Sequence, residues 1–206
     1  IVPSEIDKVV TPALPLATEE YNRPYMDQNS NVLRLFFNRF TNVVNTLLST
    51  DVGGKFLYNP CAAFYSTQDQ TASSTNTGYA VTFNNTSYSS AITLSNNSRI
   101  NVQNPGIYKF DVTLQLEHNN SSETSVTVWE QKNGSAIAYS GHMFDVKGND
   151  DYVIHWGFTV SLAANDYIEV YWATGDTQLN LHTEAATSPH PGIPSASIDV
   201  SFVSNV

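Results

Sequence analysis

Charge is scarce in this chain. Asp, Glu, Lys and Arg make up 14% of its 206 residues, well below the roughly 25% of an average globular protein. Basic charge is scarcer still: nine Lys and Arg stand against 19 Asp and Glu, a net charge of −10. A protein that grips phosphates needs a basic face to release counterions, and an anionic bilayer attracts the same sign. Nucleic acid and lipid surfaces are therefore not expected partners. Cysteine is almost absent. Cys61 stands alone, which excludes an intrachain disulfide framework and a cysteine-built metal site. It reads as a small apolar side chain of the interior. No apolar run approaches the ~18 residues of a membrane span, and no charged-then-apolar leader pattern opens the sequence. Membrane insertion is not expected.

What fills the space is small, polar and uncharged. The chain holds 21 Asn, 22 Ser and 20 Thr, with 41% hydrophobic and 12% aromatic residues. That mixture favours strands and turns, and argues against a chain built as a coiled coil, a disordered acidic tail or a long helical bundle. The length suits one domain with an appendage, or two small domains. Acid is unevenly placed, with five acids and four bases in 1–50 against 14 and five in 51–206.

Residues 1–26 read as an extended arm. Pro3, Pro12, Pro15 and Pro24 interrupt a helix, because proline lacks the donor and clashes with the preceding turn. Val9, Val10, Leu14 and Leu16 are scattered along it without period. Such an arm is either a partly disordered tail or a docking segment. A helix is predicted over 27–50, with Asp27 as its N-cap and Gly53-Gly54 beyond its end. Leu33, Phe36, Phe37, Phe40, Val43, Val44 and Leu47 recur at spacings of three and four, which is one face of a helix. Asn31, Asn38, Arg39, Asn42 and Asn45 fill the other side. A stripe this apolar packs on its own head, on symmetry mates or on another protein.

From Phe56 to the end the period changes to two. Tyr108, Phe110, Val112, Leu114 and Leu116 alternate with Lys109, Asp111, Thr113, Gln115 and Glu117, as in an antiparallel strand with one wet face. Tyr152, Ile154, Trp156, Phe158, Val160 and Leu162 share a face in a second run, Ile168, Val170 and Trp172 in a third, and Ile198, Val200 and Phe202 in a fourth. Trp156, Phe158 and Trp172 are expected in the core. Val126 and Val128 begin a shorter strand that runs into Asn133-Gly134, a strong hairpin signal because both residues accept positive φ; its second arm is expected over 136–140. Weaker strands fit 62–67, 79–83 and 91–94. Eight to ten short strands with no helices between them exclude a parallel βαβ fold. An all-β antiparallel sandwich, jelly roll or barrel remains, over 56–206.

Pro105-Gly106-Ile107-Tyr108-Lys109-Phe110, the Ser125–Gly134 strand with its hairpin turn, Tyr152–Val170 and Ser197–Val203 resemble the trimeric jelly-roll heads of the complement-globular-head and tumour necrosis factor-like superfamily. Glu20–Asp27 running into Asn31–Phe40 is similar to N-terminal segments of virion proteins of tailed phages, especially of marine and cyanobacterial hosts. Together the resemblances imply a jelly-roll sandwich behind an extended arm and one helix. They also imply a homotrimer and a place in a virion, with capsid or tail proteins as further partners. Trimeric heads bury aromatic faces between protomers. Trp129, Tyr108 and Phe110 are the candidates for such a face, although Trp129 can equally lie flat on the surface.

Motifs for chemistry are missing. There is no G-x-S-x-G elbow, no H-E-x-x-H pair and no glycine-rich phosphate loop. His118, His142, His155, His182 and His190 are scattered and read as surface or interface residues. Asp150-Asp151 offers loop oxygens of the kind calcium uses, or simply a hydrophilic turn. The N-x-S/T triplets beginning at Asn84, Asn85, Asn96, Asn119, Asn120 and Asn133 read as turn chemistry. The expectation is a non-enzymatic virion component without cofactor, a capsid decoration (cement) protein or tail-appendage part. The alternative is a fibre tip that binds a host-surface glycan.

Overall fold

A computed structural model describes residues 12–14, 16, 19–48 and 59–205. The chain divides into two compact units, Ile1–Tyr58 and Asn59–Val206. Val9, Val10, Pro3, Pro15, Gly53, Gly54 and Phe56 lie outside the described residues.

The first unit contains one helix, α1 (Arg23–Leu48). It begins four residues before the expected cap at Asp27. Asn22 is the cap: its Oδ1 accepts the backbone N–H of Tyr25 at 3.1 Å. Pro24 does not interrupt the helix, because it sits in the first turn, where backbone donors have no intrahelical partner. Asp27 lies inside and pairs loosely with Arg23 at 3.8 Å, both side chains exposed. No residue of α1 is buried. Among the described residues no helix is long and apolar enough to cross a membrane.

The second unit is an antiparallel jelly-roll sandwich. Its strands are β1 (Cys61–Ser66), β2 (Gln70–Thr71), β3 (Tyr79–Ala80), β4 (Asn85–Ser90), β5 (Ile92–Ser95), β6 (Arg99–Val102) and β7 (Gly106–His118). There follow β8 (Thr124–Lys132), β9 (Ser135–Ala136), β10 (His142–Val146), β11 (Asp150–Leu162), β12 (Tyr167–Thr174), β13 (Leu179–Leu181) and β14 (Ala196–Ser204). One sheet runs β4-β1-β14-β7-β11, with β13 continuing past β14 along β7 and β2 beside β13. The other runs β10-β8-β12-β6-β5, with β3 and β9 as short additions. The chain changes sheet from β7 to β8, β10 to β11, β11 to β12 and β13 back from β12, which wraps the two layers around one core.

The period-2 residues make that core. Tyr108, Phe110, Val112, Leu114 and Leu116 of β7 are fully buried, facing Val126, Val128, Ile168, Val170 and Trp172 of the second sheet. Trp156 and Trp172 are buried as expected, and Phe158 is half-buried, stacked on Phe110 at 4.9 Å. Cys61 is only half-buried, on the outward register of β1. The Asn133-Gly134 turn forms, but its return arm is two residues long. The chain turns away at Ile137–Ser140, where Tyr139 has φ 62°, and rejoins β8 as β10. The turn is tied to the β11–β12 corner. Asn133 donates to Asp166 at 2.8 Å and accepts from the backbone N–H of Tyr167 at 2.9 Å, and Lys132 pairs with Asp166 at 2.9 Å. Burial pushes the Asp166 carboxyl up, but the donors of Asn133, Lys132 and Ala163 outweigh it and hold it below the ordinary value. Asn96, Asn97, Asn133, Asn149 and Asn165 all take positive φ, so much of the asparagine is turn chemistry.

Candidate functional site

Both sheets end on the same side of the sandwich. β10 pairs only with β8, and β11 only with β7, so each offers an open edge among the described residues. The two edges follow one another in the chain, joined by Lys147-Gly148-Asn149. They also meet in space: the His142 ring lies 6.5 Å from that of Trp156.

The side is wet by position and oily by composition. Met143 is 69% exposed and Val153 63%. Phe144, Tyr152, Phe158 and Val160 are half-buried against the core. The alternation of β11 puts Tyr152, Phe158 and Val160 on the inward face, but an edge strand has no further strand to close over it. An open strand edge with exposed apolar groups is a template for association.

Buried polar contacts hold this side in place. Trp156 donates its indole N–H to the Glu130 carboxylate at 2.8 Å, with Glu130 itself 1% exposed. His118, at the end of β7, is fully buried. Its Nδ1 lies 3.0 Å from the Lys147 carbonyl and its Nε2 3.3 Å from the Asp176 carboxylate. Asn120 also donates to Asp176, at 2.6 Å. The backbone N–H of Gln178, with help from His118 and Asn120, holds the Asp176 carboxyl below its ordinary value. The ring of His118 thus ties the β10–β11 turn to the β12–β13 loop. Gly148 packs so tightly on that neighbourhood that a Cβ there would lie 2.2 Å from the Ser121 carbonyl carbon.

The candidate aromatics divide. Tyr108 and Phe110 are fully covered by their own chain, so neither has surface to give a trimer partner; both are core. The Tyr108 hydroxyl donates to the Asn104 carbonyl at 2.7 Å, and burial pushes its pKa up to about 12. Trp129 lies half-buried on the outer face of the second sheet, 5.7 Å from Tyr171 and against Gly78. On α1, Phe36 packs against Phe37 at 5.6 Å and Phe40 at 6.2 Å. Phe37, Phe40 and Leu47 remain exposed, and Leu33 and Val43 half-exposed.

Of the histidines, His118 is interior, and His155 accepts or donates to Thr113 at 3.0 Å on the outer face. His182 sits between Asp69 at 3.2 Å and Glu117 at 3.6 Å. Asp150 and Asp151 open β11. Among the described residues no group of three or more His, Cys, Asp or Glu could hold a metal ion. A cleft of about 460 Å³ lies beside the 183–194 loop, lined by Tyr65, Thr67, Thr183, Glu184, Ile193 and Pro194 among others.

Among solved structures, those of murine APRIL are similar to this chain. The pH 5.0 structure has a TM-score of 0.48 and 12% identity, covering 70% of this chain and 99% of that one. The pH 8.5 structure has a TM-score of 0.46 and 13% identity over the same shares. No family model matches the chain, and no curated protein matches it.

Proposed function

We propose that the chain is a structural, non-enzymatic component of a tailed-phage particle. Three jelly-roll heads assemble through their sides, and the N-terminal arm and helix fasten them to the capsid or tail. The assembly reading rests on one observation: the β10 and β11 edges lie open together, with Met143 and Val153 exposed beside half-buried aromatics. Solitary proteins blunt such edges with charge, proline or cover. A neighbouring copy supplies the cover here, and Trp129 is the candidate aromatic that keeps surface to contribute. The virion reading draws on the resemblance of residues 20–40 to phage virion proteins.

Replacing Met143 and Val153 with lysine tests the head. The double variant is expected to fold with a wild-type circular dichroism spectrum and to sediment with a smaller share of three-chain species. Unchanged sedimentation overturns this side as the interface. Immunogold labelling of purified particles with antibodies to the head tests the location. Unlabelled particles from a lysate that expresses the chain overturn it.

A second reading, a host-glycan site, is favoured by the cleft beside Tyr65. A tyrosine ring next to hydroxyls and a carboxylate, that of Glu184, which has no hydrogen-bond or ion-pair partner among the described residues, suits a sugar ring. Binding to host polysaccharide that disappears in Tyr65→Ala supports it; binding that survives the substitution rules this cleft out.

A further inference from the structure

We infer that α1 is one strand of a parallel three-stranded coiled coil made with two further copies of itself, in a register set by Asn29. The inference rests on the self-assembly reading above and adds to it the partner of the helix. Met26, Leu33, Phe40 and Leu47 stand seven residues apart, and Asn29, Phe36 and Val43 stand seven apart three positions later. This is an unbroken three-four alternation over three heptads. It is the 3.5-residue period that winds helices left-handedly about one another, and a helix that packs singly on a globule has no need of it. The seam is about 32 Å long at 1.5 Å per residue.

The flanks of the seam decide the number of strands. Val32, Phe37 and Val44 widen it on both sides. In a pair of helices those positions stay in water. Around a three-fold axis each helix touches two neighbours, so its buried arc broadens to include them. Asn31, Arg34, Asn38, Asn42 and Asn45 occupy the far side, and Arg34 donates to Asn31 at 2.8 Å there.

Asn29 is the polar exception within the seam. Asn29 is half-buried, and its Oδ1 has no hydrogen-bond partner among the described residues. In a three-fold ring each Asn29 amide donates to the Oδ1 of the next copy, which closes the ring head to tail. A slipped or antiparallel arrangement leaves every one of these amides facing hydrocarbon, so the residue selects register at a cost in stability.

The test uses the full chain carrying Cys61→Ser, with a spin label on Asn31→Cys or, separately, Asn45→Cys. Light scattering gives the mass, and dipolar spectroscopy gives the distance between labels. Three chains with the same short, narrow distance at both sites are expected. Antiparallel helices instead offset the labels by about 16 Å at the first site and about 25 Å at the second, and overturn the proposal. Three chains without dipolar coupling overturn the coiled coil while leaving the assembled head standing. A single-chain mass overturns both. Asn29→Leu, which removes no packing, provides the second reading. The distance distribution is expected to broaden while the helix melts at a higher temperature. A distribution as narrow as that of the parent overturns the register role of Asn29.

Discussion

Tyr108 shows how a single buried hydroxyl makes the stability of the head depend on alkaline pH. Its pKa is raised to about 12 from 10.0, so the folded state holds the neutral phenol. That stabilisation is complete below about pH 10 and is lost as the pH climbs through about 12, amounting to about 2–3 kcal/mol. Tyr108→Phe removes the bond to Asn104 and is expected to cost about 1 kcal/mol at neutral pH. Urea unfolding at rising pH then shows the gap between wild type and variant closing above about pH 10; a gap that stays constant contradicts the assignment. Glu130 gives a second check. Glu130→Gln keeps an oxygen for the Trp156 indole and is expected to stay within about 1 kcal/mol of wild type, whereas Glu130→Leu orphans a buried N–H and costs about 1–3 kcal/mol more in urea unfolding. Sequence alternation already sets Glu130 in line with Val126 and Val128. Its partner, 26 residues away on another strand, leaves no trace in spacing. The same limit explains Tyr108 and Phe110: period two says that a side chain points to one face, and not whether that face meets its own core or a second chain.

At the scale of elements, legibility follows apolar content. β7, β11, β12 and β14 are long and alternate, so their positions are readable from period alone. β4 (Asn-Thr-Ser-Tyr-Ser-Ser) is an edge strand with five of six residues exposed, and without a buried face it has no pattern to show. β2, β9 and β13 are two or three residues long and are fixed by their neighbours. The helix face was readable, but its start was not, since Pro24 counts as a breaker only away from the first turn. The open side depends on the turn between β10 and β11. Gly148→Ala drives a methyl into the backbone of Asn120 and Ser121, and is expected to cost about 1–3 kcal/mol as an overpacked site. Gly141→Ala, whose nearest atom is 4.0 Å away, serves as the control in the same urea titration. Equal midpoints for the two variants contradict a tightly seated turn.

For the whole molecule, sequence made the sandwich, the helix and the change of period between them visible, but not which surfaces stay open. An edge is defined by the strand that is missing beside it, and some neighbours in a sheet are more than 80 residues apart here, as with β7 and β14. In the proposed assembly, the open β10–β11 side and the heptad seam of α1 are each covered by further copies of the same chain. Light scattering on the unmodified 206-residue chain at micromolar concentration tests that common requirement most directly. A mass of three chains, independent of dilution across the micromolar range, is the predicted result; a stable mass of one chain contradicts the account.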